Sequence, residues 1–171
     1  VEHADDLKSI QAMQQDPGRA QRLIDSGELV GMKQPAGRVA LDTGAAIDLV
    51  SEGSSVRHAI RTDIGGREMI MSRTARREFS TIVEKFGGPL EKARADRLME
   101  RITPVGDNLS GRAASLRPTR NLERSDIDVF GTSDWHGVPT LTTDARAVRA
   151  MGAQGLSLET LLYDALQLLG K

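Results

Sequence analysis

The stretch Val39-Ala40-Leu41-Asp42-Thr43-Gly44-Ala45 decides how this chain is read, because an apolar run ends in an acid just where a helix-forming segment begins. Much later, Thr140-Leu141-Thr142-Thr143-Asp144 repeats the pattern. Each predicts a short buried strand that delivers a carboxylate where the strand stops and a helix starts. In an open α/β sheet the carboxyl ends of the strands are where ligands bind. Two such acids, with helical acids between them, point to a metal-binding cluster.

Outward from Asp42, the pattern predicts a strand over 38–42, helices over 43–52 and 55–64, a strand over 68–71, a long helix over 72–86 and another over 89–101. Residues 102–105 read as a strand, and a Gly/Ser/Arg-rich connector runs from Gly106 to Asn121. A helix over 125–136 capped by Ser125, a strand over 139–142, a short helix over 144–151 and a Leu-rich last helix over 157–169 complete the order. Short apolar strands alternating with helices predict a parallel sheet covered by helices. Residues 1–37 stand apart. Leu7, Ile10 and Met13 fall at helical spacing, and Asp16-Pro17 places a cap and a first helical residue before a second helix carrying Leu23 and Ile24. We expect a helical extension over 1–37 ahead of a domain over 38–171; a linker to a further segment is the other reading.

At 171 residues the chain has the size of one domain with a small extension, enough for a real core. Its net charge of −1 argues neither for nor against a polyanionic partner. Eighteen of the 23 basic residues are Arg, which suits bidentate phosphate contacts, although GC-rich coding produces the same bias. Cysteine is absent, which excludes disulfide scaffolds, thiolate metal sites and cysteine nucleophiles. No segment is apolar enough to span a bilayer and no signal peptide opens the sequence, so a soluble protein without a membrane partner is expected. A start without Met suggests a processed product or part of a longer polypeptide.

Periodicity places the acids between the two strands. On the helix after Met71, Ala75, Phe79, Ile82, Val83 and Phe86 form one apolar stripe, Arg73, Arg77 and Glu84 point away, and Glu78 sits at the stripe's edge. A carboxylate in that position needs a cation or hydrogen-bond donors. On the next acid-bearing helix, Asp126 shares a face with Phe130 and Ser133 while Asp128 is rotated toward the other side, which makes Asp126 the better inward acid. Preference for a helix N-terminus accounts for Asp126 and Asp128 equally well, and helix capping does so for Asp144.

Together, Leu41-Asp42-Thr43, Glu78 in a mid-chain helix, Asp126 opening a helix, and Thr142-Thr143-Asp144 after a strand resemble the PIN-domain nucleases, of the bacterial ribonuclease toxin type. Asp126 precedes Asp144 by eighteen residues, with His136-Gly137 between them, as in that family. The resemblance covers roughly Arg38 to Leu169. Two departures stand out: Gly44 occupies a position that is often Ser or Asn, and Ile-Asp-Val-Phe-Gly-Thr follows Asp126 where an Ala-rich run is common. The resemblance implies a three-layer α/β/α fold with a mainly parallel sheet. It implies Asp42, Glu78, Asp126 and Asp144 as catalytic metal ligands, direct or through water, with Thr43 and Thr142 as supports and Asp128 in reserve. Ligands made only of oxygen suit Mg²⁺ or Mn²⁺ and not zinc. Such an ion lowers the pKa of a bound water and stabilises charge on the phosphate, which leads to phosphodiester hydrolysis. The implied activity is that of an endoribonuclease acting on tRNA, rRNA or mRNA in the cytoplasm, as a toxin or as an effector domain of a larger secreted protein. An antitoxin or immunity protein and a homodimer are the implied partners.

Arg73, Arg76 and Arg77, with Arg112, Arg117, Arg120 and Arg124 in and after the connector, flank these acids and could track a phosphate backbone; a solvated Arg-rich surface is the alternative. Trp135 could stack on a base or cover a neighbouring element. His3, His58 and His136 show no ligand spacing. Two further readings compete. Asp42-Thr43-Gly44 also matches the loop of retroviral-type aspartic proteases, whose two chains share a proton between acids, but the helical character after it argues against that all-β fold. A catalytically inactive PIN-like module that binds RNA or protein would carry the same motifs with scattered acids. A phosphatase-like or receiver-like site would want a second Asp or a Lys beside Asp42, and neither is evident.

Overall fold

The structure, a computed structural model, describes residues 37–162. Its sheet grows from short apolar runs. Strand β1 (Arg38–Leu41), β2 (Glu68–Met71), β3 (Ile102–Pro104), β4 (Thr140–Thr142) and β5 (Thr160–Leu162) lie in the order β3-β2-β1-β4-β5, and every pairing is parallel. Six helices occur among the described residues: α1 (Thr43–Val50), α2 (Arg57–Ile64), α3 (Arg73–Phe86), α4 (Pro89–Arg101), α5 (Arg124–His136) and α6 (Ala145–Ala153). Val39 and Leu41 of β1 pack into the cluster formed with Ala45, Ile60 and Phe79, while Ala40 joins Ile70 and Val138 on the other side. Burial on both faces is what a parallel strand covered on each side by helices requires. A separate cluster, including Ala113, Ile127, Phe130 and Met151, ties the connector to α5 and α6. The fold is therefore the expected α/β architecture with a central parallel sheet.

The strand order places the site. From β1 the chain builds outward through β2 and β3 on one side, then crosses to β4 and β5 on the other. Adjacent connections thus leave β1 and β4 in opposite directions, which opens a crevice at their carboxyl ends. Leu41 pairs with Leu141, and the Asp42 amide donates to the Leu141 carbonyl at 3.3 Å. Asp42 and the Thr142–Asp144 turn therefore flank the same crevice.

Three expectations are corrected. Residues 160–162, expected to lie in a helix over 157–169, instead form β5 and pair with 140–142; the open edge of β4 gains hydrogen bonds that a helix could not supply. Helix α5 is capped by Glu123 rather than Ser125, and the Asp126 Oδ2 reaches back to accept from the Glu123 amide at 2.8 Å. The apolar stripe of α3 is buried only at Ala75 and Phe79, whereas Ile82 and Phe86 are exposed. A four-residue strand spans about 13 Å and a fourteen-residue helix about 21 Å, so the end of α3 outruns the sheet that could cover it. The helical extension expected over 1–37 lies outside the described residues apart from Gly37, and so does the tail beyond 162.

Candidate functional site

Each acid comes from a separate element and is fixed by local chemistry. Asp42 ends β1 in extended backbone and caps α1, its Oδ1 accepting from the Ala45 amide at 2.7 Å. Asp144 caps α6 in the same way, accepting from the Ala147 amide at 3.0 Å. Capping satisfies a helix-end amide and leaves the second carboxylate oxygen available. Asp126 occupies the third position of α5 inside its capping box. Glu78 lies in the second turn of α3, where its Oε1 accepts from the Thr43 hydroxyl at 3.3 Å.

The four acids share one electrostatic environment. Asp42 is pushed up to about 6, by burial first, against hydrogen bonds from Thr142 and Ala45, with the charges of Asp144 and Asp126 adding to the rise. Asp126 is raised by burial first and then by Asp144 and Glu123, against the bond from the Glu123 amide. Glu78 is raised by burial, against the Thr43 bond, and further by Asp126 and Glu123. Thr142 links the two strand-end acids: its hydroxyl bonds to Asp42 and accepts from the Asp144 amide at 2.9 Å. Thr43 and Thr142 thus each hydrogen-bond an acid of this group.

Other expected residues lie elsewhere. Asp128 is raised by burial and then by Asp107, with Arg124 opposing, and none of the four acids is among the causes. Arg76 donates to the carbonyls of Met71, at 3.3 Å, and Val105, at 3.1 Å, and braces the ends of β2 and β3. Arg112 is held in a bidentate pair with Asp134, its shorter contact 2.6 Å. Arg73, Arg77, Arg120 and Arg124 are exposed. Trp135 is partly exposed and packs edge-on to His136. Glu123 was not anticipated, although an acid three residues after it, able to accept from its amide, is present in the sequence.

The donor set is made only of oxygen and is anionic, which fits a hard divalent metal. Among the described residues, no three carboxylates or imidazoles are gathered tightly enough to hold one ion. The acids therefore meet through charge and shared hydrogen-bond supports, and a cation among them would be held partly through water.

Comparison with known proteins agrees on architecture. The model of a family described as protein of unknown function (DUF1308) matches residues 50–170, a span that begins after Asp42. Among solved structures, a chain from the crystal structure of VapBC2 from Rickettsia felis, bound to a DNA fragment from their promoter, superimposes with a TM-score of 0.54 at 10% identity. The match covers 74% of this chain and 99% of that one. At such identity the likeness concerns the fold alone, and it supports a PIN-like arrangement of the sheet and helices.

Proposed function

The chain belongs to the DUF1308 family of proteins of unknown function, and we propose that it is a metal-dependent endoribonuclease with a PIN-like active site at the β1/β4 crevice. The observation that carries this reading is the convergence of the acids: Asp144 and Asp126 add to the rise of Asp42, Asp144 adds to that of Asp126, Asp126 adds to that of Glu78, and Thr43 tethers Glu78. Buried acids that raise one another's proton affinity are stabilised as anions by a cation. Asp42, Glu78, Asp126 and Asp144 would hold Mg²⁺ or Mn²⁺, directly or through water. Bound there, the metal would supply an activated water and charge stabilisation on the phosphate. Thr142 holds Asp42 and orients the Asp144 turn, Thr43 keeps Glu78 directed at the group, and Arg73, Arg77, Arg120 and Arg124 offer exposed cations to an RNA backbone.

We further place the protein as a bacterial toxin or effector domain that acts on cytoplasmic RNA and is restrained by an antitoxin or immunity protein. The VapBC2 neighbour, described as an assembly bound to promoter DNA, lends this its support. That no three carboxylates or imidazoles gather tightly enough to hold one ion among the described residues favours a second reading, a PIN-like module that binds RNA or protein without cutting it. Cleavage of total RNA by the purified protein separates the two. Fragments are expected with Mg²⁺ or Mn²⁺, lost in EDTA and in both Asp42→Asn and Asp126→Asn. Intact RNA with either metal, from a folded protein, would favour the binding module.

A further inference from the structure

At the opposite end of the sheet lies a cavity of about 640 Å³ bordered by Arg61, Arg67, Arg94, Arg97 and Arg101. It forms where α1, α2 and α4 end and β2 begins, and none of the four acids of the β1/β4 crevice lines it. Among the described residues Glu68 is the one acid on its wall, and the Glu68 Oε1 already accepts from the Thr103 hydroxyl at 2.7 Å. Ile64, Met69 and Leu98 supply an apolar floor.

Local geometry brings Arg67 to the wall of this space. Helix α2 stops at Gly65, whose φ of 55° is accessible mainly to glycine, and the chain turns so that the Arg67 amide bonds the Ile64 carbonyl at 3.0 Å. The Nη1 of Arg67 is buried without a hydrogen-bond partner. A buried guanidinium nitrogen with no acceptor is costly, and an anionic ligand would satisfy it. Nearby, Arg57 donates to the carbonyls of Leu49, at 2.9 Å, and Ser51, and its proton affinity is lowered by burial first and then by Arg94 and Arg61. Positive charges are thus crowded around a concave, partly apolar space.

We propose that this cavity binds a phosphate-bearing organic anion of nucleotide size, its phosphates on the arginine rim and its ring on the apolar floor. The volume lies within the roughly 300–1,000 Å³ of small-molecule sites, and Arg presents paired donors suited to phosphate oxygens. A bounded pocket favours a small anion over a continuous RNA backbone. The assignment is independent of the nuclease reading.

Calorimetric titration of the whole protein with ADP, pyrophosphate and adenosine, in EDTA so that no metal bridges a ligand to the acids, tests the site. ADP is expected to saturate in the micromolar range, pyrophosphate more weakly, and adenosine not at all up to about 1 mM. Arg67→Gln should weaken ADP by about tenfold. The doubly charge-reversed Arg97→Glu/Arg101→Glu, altered only at exposed positions, should do so further while melting as the wild type does. Asp42→Asn should bind ADP unchanged. Absence of ADP and pyrophosphate binding, retention of affinity in the arginine variants, or binding of adenosine as tight as that of ADP would overturn the proposal.

Discussion

The hydroxyl of Thr43, the first residue of α1, donates to the Glu78 Oε1 in the second turn of α3 across 3.3 Å. This bond opposes the burial that raises Glu78 and keeps the carboxylate directed at its neighbours. Thr43→Val retains the β-branched shape and removes the donor. Metal-dependent cleavage is expected to fall by about tenfold, roughly 1.4 kcal/mol, with the melting temperature little changed. Wild-type cleavage rates in the variant would show that Glu78 does not need this support.

Asp42 produces a pH dependence of opposite sign to that of a salt-bridged acid. Its carboxyl is raised from 3.8 to about 6, chiefly by burial. Above pH about 6 the native state holds a charge that burial penalises and that the unfolded chain carries freely; below pH about 3.8 the group is neutral in both states. Stability therefore falls as pH rises through that window, by on the order of 3 kcal/mol for the full shift. Asn preserves the cap to Ala45 without the charge. In EDTA, Asp42→Asn is expected to melt several degrees higher than the wild type at pH about 8 and to converge with it near pH 4. Added Mg²⁺ should narrow the difference by stabilising the ionised wild type. Parallel melting curves across this range, measured by circular dichroism, would rule the account out.

Much of this was legible because it is local. The bounds of β2 and α4 agree with the expected 68–71 and 89–101, since apolar runs, Ser72 as a cap and Pro89 at a helix start are all short-range signals. The acids at strand ends followed from the same logic. What escaped was decided at a distance. Leu158 and Leu161 read equally well as helix or strand, and only the unpaired edge of β4 chooses β5. Ile82 and Phe86 fit the stripe of α3, but the sheet ends before they can reach it. The roles of Arg76 and Arg112 depend on carbonyls and an acid far away in sequence, which no helical spacing encodes.

Asp126 and Asp128 stand two residues apart on α5 and are expected to differ sharply. Asp126 is coupled to Asp144, and its charge raises Asp42 and Glu78, whereas Asp128 answers to Asp107 and Arg124. Asp126→Asn keeps an acceptor for the Glu123 amide, so the cap of α5 survives. Cleavage should nevertheless fall by about a hundredfold or more, close to 3 kcal/mol in the barrier. Asp128→Asn should leave cleavage within about twofold and, by relieving repulsion with Asp107, slightly raise stability. Equal losses in side-by-side assays of the two variants would return Asp128 to the site.

Neighbouring arginines on α3 separate structure from substrate contact. Arg76 donates to the carbonyls of Met71 and Val105, which cap the ends of two adjacent strands, and it is half-buried. Arg76→Ala leaves those acceptors without their charged donor and should cost about 1–3 kcal/mol, seen as a lower denaturation midpoint. Arg73 and Arg77 are exposed on the same helix, so Arg77→Ala should leave that midpoint unchanged. On the proposed backbone contact, Arg77→Ala should weaken single-stranded RNA binding about equally for every sequence and reduce the slope of affinity against salt by about one. Filter binding across a salt series reads both quantities. An unaltered slope would remove Arg77 from the RNA path and leave it as a solvated charge.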